Sequence, residues 1–246
     1  MEDLKTYIKQ ISPVTRYFLG STLLLSFCMT YKIISPYSLF LTFPQVFYDG
    51  HVWRLITTFL YAGPFSMGFI FTMMMMYYTF SSIEKHFENR QAELGTLLLF
   101  NACTSLLFGW LADDYMVMQS PYAFSVMYVW SKLEPDLPMS IWGFPIKSVN
   151  LPWVMMAFHL FTGGNPFSDL IGVAAGHTYI YLKVVLPDSH GYNLLKTPGW
   201  MDKLVAKLNA WHEDPRAARG GRIYNLNNDG AQANPAANEQ RLNRNE

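Results

Sequence analysis

The stretch Leu55–Ile83, LITTFLYAGPFSMGFIFTMMMMYYTFSSI, runs for 29 residues without one Asp, Glu, Lys or Arg. A bilayer core of about 30 Å is crossed by about 20 helical residues at about 1.5 Å each. The stretch is therefore long enough for a transmembrane helix, read here as 65–81, with an apolar approach to it. Further charge-free runs lie on both sides: Tyr17–Tyr31, Ile33–Tyr48, Leu94–Ala112, Tyr115–Ser131, Ser148–Ser168 and Leu170–Leu182. Pro36 and Pro44 break any helix in the second of these, which reads as a loop. Charged residues make up 15% of the 246-residue chain, against roughly 25% in ordinary soluble proteins. They are unevenly placed, with 21 in residues 1–186 and 15 in residues 187–246. Basic and acidic residues balance at 18 each, which argues against a nucleic-acid partner.

The runs predict an all-α membrane protein with six spans at 16–34, 65–81, 94–112, 115–131, 149–163 and 167–185. With the N-terminus in the cytosol, the inside segments carry Lys5, Lys9 and Arg16, then Lys85 and Arg90, Lys132 and Lys147, and Lys183 with the tail. The outside segments carry only Lys32 and Arg54. By the positive-inside rule both termini are expected in the cytosol. The domain reading is a membrane body over 1–190, a juxtamembrane amphipathic segment over 191–213 and a disordered cytosolic tail over 214–246. Trp200, Leu204, Leu208 and Trp211 recur at helical spacing in the middle segment, as in a helix lying on a membrane surface or on the body's own loops. The first apolar run lacks a small-residue cleavage site, so it is expected to stay as an anchor.

Polar groups inside spans are costly and need a partner or a wet cavity. Asn101, Ser125, His159, Asp169 and His177 meet that description. Each also has a structural reading. Asn101 can bridge helices, Ser125 can bond its own backbone, and the two histidines can sit at span ends. Asp169 can cap the last span and complement its dipole. The two cysteines and six histidines show no metal-ligand spacing, and no metal or cofactor is expected. Gly172 and Gly176, four residues apart, make a flat helix face for close packing within the chain or in an oligomer. Met73–Met76 followed by Tyr77 forms a deformable apolar surface suited to varied partners, or a lipid-facing or core run. Trp53 and Arg54 fit an interfacial loop, with the guanidinium snorkelling or bracing backbone carbonyls.

In order and spacing, several short pieces resemble the derlin family, the rhomboid-like pseudoproteases of the endoplasmic reticulum. They are Ile11–Arg16, Trp53–Thr57, Glu84 with Phe87, Arg90, Ala92 and Glu93, and Ser125–Trp130. Leu151–Val154, Asp169–His177 and Leu195–Pro198 complete the set. The resemblance covers about residues 8–200. It implies a six-span rhomboid-like fold in the endoplasmic-reticulum membrane. It also implies a role in retrotranslocation, guiding misfolded proteins out for ubiquitination and proteasomal degradation. A membrane ubiquitin ligase and an AAA ATPase of the valosin-containing type are the implied partners, with misfolded proteins as clients and a homo-oligomer as an option.

Active rhomboid proteases resemble this layout but place their serine in Gly-x-Ser-Gly and a histidine three residues before the first glycine of the last span. Here Ser125 lies in Ala-Phe-Ser-Val, and the residue three before Gly172 is Asp169. A serine without a positioned base is not activated, so the resemblance implies no enzyme. A protease, a channel and a scaffold without client contact are the competing readings. Met73, Met74, Tyr77, Asn101, Ser125 and Asp169 are the candidate client path. Many derlin tails carry a short ATPase-binding box. This tail has Gln240, Arg241 and Leu242, flanked by Glu239 and Asn243 where the box has glycines.

Overall fold

The computed structural model describes residues 11–35, 40–42, 46, 48–112, 117–141, 143–191 and 194–213. The expected tail over 214–246, with Gln240, Arg241 and Leu242, lies outside the described residues. The molecule is mostly helical: α1 (Pro13–Thr30), α2 (Met67–His86), α3 (Gln91–Leu111), α4 (Gln119–Leu133), α5 (Leu151–Phe161), α6 (Pro166–Ile180) and α7 (Gly199–Glu213). A single helical turn at Arg54–Thr57 lies between α1 and α2. The chain divides into two units, Met1–Met201 and Asp202–Glu246. In the second, Leu204 and Leu208 of α7 are exposed.

Helices α1 to α6 fall where the six apolar runs lie, but several are shorter than the expected spans. At about 1.5 Å per residue, α5 is only about 16 Å long and α4 about 22 Å. Two described helices are long and apolar enough to cross a bilayer, α3 and the continuous helix Pro166–His190. The last of these contains a π-helical stretch, Tyr181–Val185, followed by the turn Leu186–His190. Pro187 cannot donate to the carbonyl four residues earlier, and the wider turn before it accommodates that loss.

The expectation of an all-α chain needs one correction. Between α4 and α5 the strands β1 (Pro138–Ile141) and β2 (Phe144–Lys147) form an antiparallel hairpin. Gly143 occupies the left-handed region at φ 86° in its turn, where a side chain would be strained. Lys147 Nζ donates to Asp136 at 2.8 Å across the hairpin base. That hydrogen bond, with the ammonium charge, holds the Asp136 carboxyl below its ordinary range. The pattern is only four residues per strand and carries two prolines, so it is too short and interrupted to give a strand periodicity.

Helix α4 is the centre of the core. Every residue from Gln119 to Ser131 is buried except the half-buried Ser120. A helix apolar on all sides belongs inside a bundle, and α2, α3, α5 and α6 all pack against it. The closest approach is made by α6. A Cβ on Gly172 would lie 2.2 Å from the Pro121 carbonyl oxygen, and one on Gly176 would lie 2.6 Å from that of Ser125. The small-residue face is thus spent on packing within the chain. Phe80, Met76, Ile83 and Leu97 fill the space around α4 from α2 and α3.

The start of α1 is held from a distance. Ser12 makes no side-chain cap. Instead the Glu84 carboxylate, near the end of α2, accepts from the Val14 and Thr15 backbone N–H groups at 2.9 Å each and from the Thr15 hydroxyl at 2.8 Å. A carboxylate there satisfies orphan amides and complements the helix dipole. At the far end of the bundle, Thr58 accepts from the Met118 N–H through its hydroxyl (3.0 Å) and its carbonyl (3.2 Å), anchoring the start of α4.

Two stability outcomes follow, both read as thermal melting of the full chain in detergent. Gly172→Ala costs about 1–3 kcal/mol or more, because backbone must move to admit the methyl. Gly20→Ala, with no atom within 4 Å of the new Cβ, is harmless. Equal melting of the two variants would contradict the close approach. Glu84→Ala costs about 1 kcal/mol, the worth of a helix cap, with Glu84→Gln intermediate; an unchanged melt for Glu84→Ala would remove the remote cap.

Candidate functional site

Pro166 opens α6 at its first turn, and the Asn165 side chain caps it by accepting from the Phe167 N–H at 3.0 Å. Asn165, not Asp169, is therefore the cap. Asp169 sits one turn in, fully buried. Its Oδ1 accepts from the Ser120 hydroxyl at 2.7 Å, and His159 Nδ1 lies 2.8 Å from its Oδ2. Three helices are thereby pinned by one carboxylate: α4 through Ser120, α5 through His159 and α6 through Asp169. The His159 ring stacks on Phe124, with centroids 6.1 Å apart. Gly164 packs close to the same ring, where a Cβ would fall 2.2 Å from it.

Ser120 and His159 also border a small cavity of about 80 Å³ with Thr72, Gln119, Phe158 and Thr162. Polar and apolar groups share its wall. A second depression, of about 150 Å³, lies between α2, the hairpin and α5. Its wall is Met74, Met75, Tyr78, Thr79, Met139, Ser140, Ile141, Leu151 and Met155, and none of these is charged.

The residues singled out from the sequence divide into two groups. Met73 is half-buried, and Met74 and Tyr77 are 38% and 42% exposed on α2. Asn101, Ser125 and Asp169 are fully buried. Asn101 donates to the Leu97 carbonyl of its own helix at 2.9 Å, while its Oδ1 finds no partner among the described residues. Ser125 donates to the Tyr122 carbonyl at 2.7 Å, again within its own helix. His177 Nδ1 lies 2.9 Å from the Tyr128 hydroxyl. Ser125 is thus bonded within its own helix and His177 across to α4, and among the described residues no hydrogen bond joins Ser125 to His177.

In the first loop, Arg54 is 6% exposed and its Nη1 donates to the Phe40 carbonyl at 2.7 Å. Trp53 is half-exposed and packs against His51, with ring centroids 4.6 Å apart and planes tilted by 35°. Sequence reasoning missed Ser120 and Thr58. A lone serine before a proline and one threonine in an apolar run carry no pattern, because their partners lie 49 and 60 positions away.

The family model described as the Der1-like family matches residues 11–199. The chain is 31% identical to Derlin-1.2 of Zea mays, covering 85% of this chain and 87% of the relative. It is 34% identical to Derlin-1 of Pongo abelii, covering 82% of each.

Removing the carboxylate in Asp169→Ala leaves the Ser120 hydroxyl and His159 without their acceptor, at about 1–3 kcal/mol. Ser125→Ala loses only a bond to its own helix and costs under about 1 kcal/mol. Thermal melting of both variants checks the contrast, and the reverse order would contradict it.

Proposed function

The chain belongs to the Der1-like family, and from that premise we propose that it is a non-enzymatic factor of endoplasmic-reticulum-associated degradation. In this reading it sits in that membrane as a six-span rhomboid-like body with both termini in the cytosol. It takes misfolded proteins and guides them out for ubiquitination and proteasomal degradation. The membrane character of the Der1-like chain is supported by the apolar helices α3 and Pro166–His190, and the cytosolic termini by the distribution of lysines and arginines.

The observation that carries the reading is the short, heavily buried bundle with an open apolar face on α2. A polypeptide leaving a membrane must hide its backbone polar groups from hydrocarbon. Helices of about 16 and 22 Å are shorter than a bilayer core and favour local thinning. The exposed Met74 and Tyr77 offer adaptable apolar contacts at that thinned position. Asn101, Ser125 and Asp169, being buried, serve in this reading to hold the bundle rather than to touch the client. The amphipathic α7, with Leu204 and Leu208 exposed, suits a position on the cytosolic leaflet.

The absence of proteolysis in this proposal rests on Ser125. Its hydroxyl is buried and committed to Tyr122, and an activated serine needs an adjacent base. A membrane ubiquitin ligase and an AAA ATPase of the valosin-containing type complete the proposed pathway. Since the Gln240–Leu242 box departs from the family pattern, the ligase complex is proposed to bring the ATPase.

A translation-shutoff chase of a misfolded membrane client in cells lacking this chain tests the proposal. The client is expected to persist, and wild-type chain and Ser125→Ala are expected to restore its decay equally. Unchanged decay without the chain would overturn the degradation role. Loss of client cleavage with Ser125→Ala would overturn the non-enzymatic assignment.

A further inference from the structure

The hairpin between α4 and α5 has an unfinished edge. Ser148 N–H donates to the Leu137 carbonyl at 3.1 Å, one pair beyond Pro138 and Lys147. In an antiparallel ladder hydrogen-bonded and non-hydrogen-bonded pairs alternate. The pairs Met139 with Ile146 and Ile141 with Phe144 are therefore the bonded ones, and Pro138 with Lys147 and Ser140 with Pro145 are not. At the non-bonded positions N–H and C=O point away from the partner strand. Both prolines sit there, which is where a missing N–H costs the hairpin nothing. Pro138 and Pro145 each remove one outward donor. On β1, Ser140 retains both its outward N–H and its outward C=O.

Ser140 borders the uncharged depression of about 150 Å³, and no β2 residue lines it. A second polar group there lacks a partner. Thr79 is 1% exposed, and its Oγ1 has no hydrogen-bond partner among the described residues. An unpaired buried hydroxyl is costly, and a free strand edge is a template for another chain. The rest of the wall is pliable, with Met74, Met75, Met139 and Met155 among its residues. Unbranched thioethers repack around side chains of different shape.

We infer that this depression is a receptor for an extended, uncharged polypeptide segment that adds to the outer edge of β1. Main-chain pairing with Ser140 supplies sequence-independent affinity, and the methionine wall accepts alternate apolar side chains. The lining has no charge to complement a charged occupant. An acyl chain would fill the apolar volume but could pair neither the Ser140 backbone nor the Thr79 hydroxyl. The inference rests on the proposed client-handling role and names the conformation in which a client is held.

The test uses the full-length chain in phosphatidylcholine nanodiscs and a fluorescent nonapeptide of alternating valine and threonine, read by anisotropy. The peptide is expected to bind. A version N-methylated on alternate amides, in the register facing β1, is expected to bind at least about tenfold more weakly, a loss of about 1.4 kcal/mol. Ser140→Pro, which removes the outward N–H, is expected to weaken the unmodified peptide similarly. Thr79→Val, which keeps the shape, is expected to weaken it severalfold and leaves the hairpin untouched if Ser140→Pro misfolds. Equal binding of both peptides to the wild-type chain, or Thr79→Val and Ser140→Pro both without effect, would overturn strand addition. So would peptide displacement by lipid alone. Failure of these arms with client decay still dependent on the chain would sink only this inference; decay independent of the chain would sink the client-handling role beneath it.

Discussion

Everything in the bundle depends on how closely α6 lies against α4. Gly172 and Gly176 put helix backbone against helix backbone, with the Pro121 and Ser125 carbonyls where side chains would otherwise stand. In lipid there is little hydrophobic drive for helices to associate, so close packing and buried polar contacts must supply the attraction. The glycine face supplies the first, and it brings Asp169 near Ser120 and His159 to supply the second. Because α4 is only 15 residues long and wrapped on nearly all sides, it has no face left for lipid. Its neighbours carry the outer surface.

Three polar contacts follow one logic. Each reaches a group distant in sequence: Glu84 at the start of α1, Thr58 at the start of α4, Asp169 between three helices. Each joins elements that short-range capping could not join. A short helix in a membrane has few backbone groups to spare, so unsatisfied ends would be costly. These remote contacts make short helices tolerable. They tie α1 to α2 and hold α4, α5 and α6 to one another.

Much of this was legible in the order of residues. Each of α1 to α6 overlaps one of the charge-free runs, because exclusion of charge is a property of each stretch by itself. The four-residue glycine spacing announces a close contact, though not its partner. The Asp169 carboxylate was marked as unusual by its place in an apolar span, yet its role was not readable. Capping and interhelical pairing place the same residue type at the same site. Asn165 holds the cap, and Ser120 and His159 come from other helices. The hairpin was not legible, since two four-residue strands interrupted by Pro138 and Pro145 leave no period. The lengths of α4 and α5 were overestimated, while α2 and α3 run two or three residues longer than read. Apolar composition continues past the point where the backbone turns, as at Phe161, whose neighbours Thr162 to Asn165 are uncharged but not helical.

The physical picture is of a closely packed bundle with an outward apolar α2 face and a hairpin edge, both proposed to meet another chain. Its central claim is that a client touches that face while it is being removed. Site-specific photocrosslinking in endoplasmic-reticulum membranes measures this most directly, with the probe at the exposed Met74 or Tyr77 and, as the comparison, at the buried Leu97. Covalent adducts to a misfolded client are expected from Met74 and Tyr77 and none from Leu97. Absence of client adducts from both exposed positions, while the client's degradation still requires the chain, would contradict it.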